Sequence, residues 1–360
     1  MSLKNAKIII KDRTKYENGG MHMEKGRIFR IICGVMIGII VVILIALFVS
    51  DDNNINAVTV DMDVPYSDTA NWMSYINDDV YLSQITIPGT HDSCARNVML
   101  GYVMRCQDTD ISTQLDNGYR YLDLRVAIDD KNGANRLKLV HNFANCHKEG
   151  NLFSDYLYFE DVTKALYSFL QQHPAESVIV NIKIEDDTHS VSDIQKLLLD
   201  EIKANKDYWY TEDEIPTLGD VRGRVVLATR FKDEQGSGIT GLNMSWSEQD
   251  NKIPADIPYE LYVFDNYRLW VQDRYKYSVE DKYEAVVDGL ENCEADESTL
   301  FFNFVSTSGD GKIGHPRGYA KALNELLMEY NLKPDTSYGI IIVDFGDDNL
   351  ARHIYYTNSF

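Results

Sequence analysis

From Leu82 to Phe345, short apolar runs rich in β-formers alternate with stretches of helical spacing. No other feature restricts the folds open to the chain so strongly. The runs read QITI, RYLDLRVAI, LKLV, SVIVNIKI, RVVLATR, ELYVF, FFNFV and YGIIIVDF. Between several of them, Phe159–His173, Ser190–Ala204, Ser278–Asn292 and Pro316–Tyr330 carry apolar residues with the periodicity of an amphipathic helix. Strands separated by helices are joined by parallel crossovers. About eight such strands in roughly 270 residues match a single parallel barrel. The expected fold is therefore α/β, a distorted (β/α)8 TIM-like barrel in one domain, with an open doubly wound sheet as the alternative. The barrel has the sharper consequence, because its chemistry gathers where the strands end.

A different constraint lies ahead of the alternation. Ile31 to Val49 is nineteen residues without a charge, about the length an α-helix needs to cross a bilayer. Residues 1–30 hold eight Lys/Arg against three Asp/Glu, a bias that keeps this end in the cytoplasm and exports the rest of the chain. A cleaved signal sequence starting at Met21 or Met23 is the rival reading. The run is long for a signal sequence, and no small-x-small cleavage site follows FVSDD, which favours an uncleaved anchor. The resulting organisation is a basic cytoplasmic segment (1–30), a transmembrane anchor or signal sequence (31–50), a polar linker (51–78) and a catalytic domain (79–360). The domain lies outside the cell, anchored by a single span or secreted after cleavage.

The exported part keeps 27 bases against 53 acids, a net charge of −26. That balance excludes nucleic acid as a partner and general adhesion to anionic lipid. An anionic substrate must be held by a few local cations. Four cysteines lie beyond the apolar run, Cys94, Cys106, Cys146 and Cys293. In an oxidising compartment they could form two disulfides in three connectivities, or remain buried thiols.

Polar groups recur at the strand ends. His91 and Asp92 follow QITI, Asp123 and Arg125 interrupt RYLDLRVAI, and His141 follows LKLV. Lys183 and Glu185 close the fourth run, Arg230 the fifth and Asp344 the last. Singly, each has an ordinary structural explanation, such as a hydrogen-bonded histidine or an ion pair along one strand face. A parallel sheet buries both faces, however, and charges there are costly unless paired. Their coincidence points to a site. Two histidines, several carboxylates and an arginine suit phosphodiester cleavage by general acid and base. One imidazole takes a proton from the attacking hydroxyl, the other protonates the leaving oxygen, and the guanidinium stabilises charge on the phosphoryl group. No metal or other cofactor is required, and Arg125 in the middle of the set repels a cation.

The segments LSQITIPGTHDS, YRYLDLRV, LKLVHN, LGDVRGRVVLATRF, VQDRYK and FFNFVSTSGDG, in this order, resemble the bacterial phosphatidylinositol-specific phospholipases C. The resemblance runs from about Leu82 to Phe345, and IPGTHDS alone would indicate only the wider phospholipase C X-box superfamily. It implies that His91 is the general base, deprotonating the inositol 2-hydroxyl for attack on the neighbouring phosphorus, with Asp344 holding His91. His141, working with Asp92, protonates the departing diacylglycerol, and Arg125, supported by Asp123, carries the charge of the phosphorane. The products are diacylglycerol and inositol 1,2-cyclic phosphate, which water opens slowly. By motif position Lys183, Arg230, Asp273 and Tyr275 grip the inositol ring, although Arg230 and Asp273 could also be a surface charge and a turn residue.

The resemblance further implies a monomer acting on lipid at a membrane surface. In the calcium-dependent eukaryotic relatives a metal ligand takes the place of Arg125, so its presence here implies a metal-independent enzyme. NFANCHKEGN, after the first residues of LKLVHN, departs from the bacterial pattern. Val98 to Met104 correspond to a rim helix that touches the bilayer in the family, with an ordinary core helix as the alternative. Trp246 is a candidate rim aromatic, with a packed loop tryptophan as the commoner alternative. Two competing readings are an inactive, membrane-anchored lipid-binding barrel and a metal-dependent glycerophosphodiesterase-like enzyme. The first conflicts with the retention of His91, His141 and Arg125, and the second with the arginine.

Overall fold

The computed structural model describes residues 36, 67–131, 135–149, 154–234, 236, 241–249, 259–310 and 314–359. The chain divides into two units, Met1–Asp52 and Asn53–Phe360. In the first only Met36 is described, in helical conformation. The expected membrane helix thus lies outside the described residues. Among those that are described, no helix is long and apolar enough to cross a membrane.

The second unit is a barrel. Its parallel strands are β1 (Ile87–Thr90), β2 (Tyr121–Asp129), β5 (Val178–Ile184), β7 (Val225–Thr229), β10 (Arg268–Gln272), β11 (Thr299–Phe304) and β12 (Ile340–Val343), with β6 (Trp209–Tyr210) and β8 (Leu242–Asn243) as short staves beside β7. The order around the sheet is β6-β7-β5-β2-β1-β12-β11-β10. Three further strands are antiparallel additions: β3 (Arg136–His141) on β2, β4 (Ala144–Asn145) on β3, and β9 (Glu260–Val263) on β10. The LKLV and ELYVF runs, expected as barrel strands, are therefore hairpin partners. RLWVQ supplies β10, a stave absent from the expected set, because Arg268 and Gln272 break its apolar run.

Among the described residues no ladder joins β8 to β9 or β10, so the barrel is not closed by main-chain pairing there. Gln249 spans part of the gap with its side chain. Its amide donates to the Val271 carbonyl at 3.1 Å and accepts from the Asp273 N–H at 2.8 Å, which is what a neighbouring strand would do.

The sequence of each strand explains its two faces. On β5, Val178, Val180 and Ile182 turn outward into an apolar cluster with Leu166, Phe169 and Ile194. These last belong to helices α3 (Phe159–Gln172) and α4 (Val191–Ala204). The alternate residues point into the barrel, and they change character along the strand. Ile179 joins the interior cluster with Val226, Leu269 and Ile340; Asn181 and Lys183 follow. The same progression runs Tyr121, Asp123, Arg125 on β2 and Ile340, Ile342, Asp344 on and just past β12. The barrel is thus oily at the strands' N-terminal ends and charged at their C-terminal ends. Gly89 of β1 lies on this inner face because a Cβ there would stand 2.8 Å from the Tyr121 ring.

Helix ends follow local chemistry. Ser190 and Ser278 each accept a hydrogen bond from the third residue of α4 and of α6 (Val279–Glu291), a cap worth about 1 kcal/mol. Pro316 starts α7 (Pro316–Glu329) without forfeiting a bonded N–H. The end of the expected linker is folded instead. Trp72, Met73 and Ile76 are buried, and Trp72 stacks on Tyr355 at 4.9 Å and donates to the Gly118 carbonyl. Three large apolar side chains in an otherwise polar stretch cover the barrel floor, beside a fully buried Arg120–Glu176 pair at 2.9 Å.

Candidate active site

The charged ends of the inner face surround a cavity of about 340 Å³. His91, Arg125, His141, Lys183, Asp273, Tyr275 and Asp344 all line it. Register accounts for the arrangement. Arg125 is the ladder partner of Lys183, and Asp123 that of Asn181; Val343 pairs with Thr90, which sets Asp344 beside His91.

The residues following three of these groups share an unusual backbone. Asp92, Asn142 and Phe345, next after His91, His141 and Asp344, have φ of 42°, 54° and 50°. Left-handed backbone is strained for a side chain with a Cβ, by about 1 kcal/mol or more, and persists only where its surroundings hold it. Here each N–H has a fixed acceptor. Asp92 N donates to Asp123 Oδ2 at 3.2 Å, Asn142 N to Glu185 Oε2 at 2.6 Å, and Phe345 N to the Cys106 carbonyl at 2.8 Å. The chain turns sharply at the end of each strand, and the preceding side chain is left in the cavity. The THDS segment is tied in the same way, with Ser93 Oγ accepting from the Asp123 N–H at 2.8 Å and the Gln107 amide donating to the His91 carbonyl at 2.7 Å.

His91 Nδ1 lies 2.8 Å from Asp344 Oδ1, and Asp92 Oδ2 stands 3.3 Å from His141 Nε2 and 3.5 Å from His91 Nε2. Arg125 is gripped on three sides: Nε by Asp92 at 3.1 Å, Nη2 by Asp123 at 3.2 Å and Nη1 by Glu185 at 2.8 Å. His141 Nδ1 is 2.6 Å from the Met104 carbonyl, which fixes that nitrogen as the N–H and turns Nε2 to Asp92.

Burial pulls His91 down, but the charge and hydrogen bond of Asp344, with Asp92 adding, more than offset it. Its pKa is raised from 6.5 to about 9. One contact opposes this. Arg125 Nη2 lies 2.9 Å from His91 Nε2, and two N–H groups cannot share that distance, so the contact belongs to the neutral ring with Nδ1–H on Asp344. The imidazole therefore has two states, a neutral one held by Arg125 and a protonated one held by Asp92 and Asp344. Burial raises Asp92 despite Arg125 and the histidines. It also acts on Asp123, where Arg125 and His91 win and the pKa falls to about 2.

At the other end of the cavity Lys183 Nζ reaches Glu248 at 3.0 Å and Glu185 at 3.4 Å. Arg230 lies behind the wall, its side chain only 5% exposed, 3.8 Å from Asp273 and over the Trp246 ring at 3.9 Å. The surface-charge reading of Arg230 therefore fails. Asp273 accepts from Trp246 Nε1 at 3.1 Å, so Trp246 is a packed floor residue rather than a rim aromatic.

Glu185 was expected only as a strand-end charge with no assigned role, and Glu248 was not expected at the site at all. Glu185 was legible, two residues beyond Lys183 on the same strand face. Glu248 comes from the irregular segment after β8, where no periodicity marks it. The rim departs from expectation as well. Only Gly101–Met104 of the rim stretch is helical (α1), with Val98 and Met104 buried and Met99 exposed. The most exposed apolar group beside the site is Phe143, at 66%. Cys94, Cys106, Cys146 and Cys293 are free thiols.

The chain matches, over residues 85–231, the family model described as phosphatidylinositol-specific phospholipase C, X domain. It is 27% identical over 311 residues to the 1-phosphatidylinositol phosphodiesterase of Listeria monocytogenes, covering 81% of this chain and 86% of that protein. To the Staphylococcus aureus protein of the same name it is 25% identical, covering 80% and 94%. Among solved structures, phosphatidylinositol-specific phospholipase C of L. monocytogenes superposes with a TM-score of 0.63 at 25% identity, covering 81% of this chain and 99% of that one. A variant of the S. aureus enzyme superposes with 0.68 at 23% identity, covering 83% and 100%, a likeness of fold.

Proposed function

We propose that this chain cleaves phosphatidylinositol to diacylglycerol and inositol 1,2-cyclic phosphate by metal-independent acid–base catalysis. The observation that carries the reading is the flanking of Arg125 by two imidazoles, each with its own carboxylate, in one cavity. In the neutral form of His91, Arg125 occupies the Nε2 lone pair before substrate arrives. A phosphodiester in the cavity draws the guanidinium onto its oxygens, where a planar fork binds two at once, and the freed Nε2 accepts the proton of the inositol 2-hydroxyl. His141 Nε2, facing Asp92, hands a proton to the glycerol oxygen as the P–O bond breaks. Because the hydroxyl lies on the carbon next to the phosphate ester, attack is intramolecular and the protein need not assemble two molecules. Lys183, Glu248, Asp273 and Tyr275, with Arg230 behind them, offer the mixed donors and acceptors that a polyol ring requires.

The chain acts as a monomer at a membrane surface, held there by the apolar segment 31–50 with its catalytic domain outside the cell. The reading is tested with the 360-residue chain, phosphatidylinositol vesicles and excess EDTA, followed by phosphorus NMR. The cyclic phosphate resonance is expected. Activity that appears only with added calcium would overturn the metal-independent mechanism, and silence in both conditions would overturn the substrate.

A further inference from the structure

We propose that the floor of this cavity is also an inhibitory site for a soft divalent cation of the zinc type, ligated by His91, Asp92 and Cys106. Each of these side chains offers one ligand atom, and the three atoms lie within 4.8 Å of one another. Small side-chain rotations close that triangle to the roughly 3.5 Å edges of a tetrahedral site. Three protein ligands leave the fourth position open towards the cavity. Thiolate, imidazole and carboxylate together suit zinc, whereas magnesium and calcium take oxygen alone.

Two observations support the site independently. Cys106 lines the cavity, 3.8 Å from His141 Nδ1, yet the acid–base mechanism gives it no task. Asp92 is 1% exposed and its Oδ2 makes no hydrogen bond; held only by ion-pair contacts to His141 at 3.3 Å and His91 at 3.5 Å, this buried carboxylate oxygen can turn to a cation.

Arg125 repels a cation, but it is outnumbered. Beyond the ligands the cluster also holds Asp344, 2.8 Å from His91 Nδ1, and Asp123, 3.2 Å from Arg125 Nη2. Binding displaces protons: the S–H proton leaves to solvent, as does the Nε2 proton where His91 is protonated, the thiolate and the His91 Nε2 lone pair bond to the metal, and no electron is transferred. Arg125 Nη2 gives up its contact with Nε2. The base then has no lone pair for the 2-hydroxyl, and Asp92 is withdrawn from His141. Inhibition thus rests on the acid–base reading above, whereas binding does not.

The test uses the reduced 360-residue chain, stripped with EDTA and desalted. Cobalt(II) chloride is titrated in while the near-ultraviolet thiolate-to-cobalt band is recorded, and zinc chloride is titrated against vesicle cleavage. One equivalent of cobalt is expected to develop the band, and Cys106→Ser and Cys106→Ala are both expected to lose it. The zinc concentration for half-inhibition, relative to each protein's own uninhibited rate, should rise at least tenfold in both variants. Absence of the band, or its persistence in both variants, overturns the site. A Cys106-dependent band with unchanged zinc sensitivity overturns the inhibitory role. A Cys106-dependent band in a chain that never cleaves the lipid supports the site and overturns the substrate reading instead.

Discussion

Replacing Asp344 by Asn tests the central pairing, because it removes a charge and leaves the shape. In the folded protein the His91 pKa is raised from 6.5 to about 9, with Asp344 the largest raising influence. A raised imidazole pKa stabilises the fold fully below 6.5, and the contribution disappears as pH rises through about 9. At about 1.4 kcal/mol per pKa step, the span is worth on the order of 3 kcal/mol. In the Asp344→Asn variant the charge is gone while burial still pulls the imidazole down, so its pKa drops below the ordinary value. The sign then reverses: the variant's His91 contribution is present above about 6.5 and is lost as pH falls.

Urea unfolding of both proteins between pH 5 and pH 10 measures this directly, since other titrating groups cancel in the difference (on the order of 3 kcal/mol at the acid end). The same substitution moves the rising limb of kcat/KM, set by the free base, from about 9 to below 6.5. The rate at the plateau falls as well, since the ring is no longer held in its Nδ1–H tautomer. Parallel stability curves for the two proteins, or a rising limb that stays in place, would refute the assignment of Asp344 as the partner that sets His91.

Arg125→Lys keeps the charge but cannot reproduce three carboxylate contacts and a fork on the phosphate. Cleavage is expected to fall on the order of a hundredfold or more, and near-normal rates would make Arg125 structural. Phe143→Ser removes the most exposed apolar side chain beside the cavity. If Phe143 enters the acyl region, losing about 2 kcal/mol of burial weakens vesicle binding about 30-fold; unchanged co-sedimentation with vesicles would exclude that contact.

The parts of this molecule that were legible in its sequence are those where one period dominates. Helices α3, α4, α6 and α7 lie within a residue or two of their expected bounds, because each has an apolar stripe and an end signal such as Ser190, Ser278 or Pro316. Strands β2, β5 and β7 were legible because both faces are buried, and the charges within them announced the cavity. What escaped depends on neighbours rather than on pattern. Nothing in LKLV distinguishes a hairpin partner from a barrel stave, since its direction is decided by the pairing of Val126 with Leu139. Glu248 reaches Lys183 from a segment without period. The left-handed backbone after His91, His141 and Asp344 could not be read either. Asp92 and Asn142 tolerate it, but Phe345 is there only because Cys106 captures its N–H.

The balance of charge in the cavity explains how so acidic a protein can hold an anion. Arg125, Lys183 and Arg230 are set against Asp92, Asp123, Glu185, Glu248, Asp273 and Asp344, and each cation already touches a carboxylate. An arriving phosphodiester gains little from a general field and must instead exchange contacts, taking Arg125 from His91 Nε2. The excess of carboxylates makes that exchange productive. While the site is empty the neutral form of His91 is bound to Arg125, and in the proposed mechanism its lone pair is unmasked when a second anion competes for the guanidinium. In the proposed mechanism substrate binding and activation of the base are then one event, carried by the movement of a single side chain.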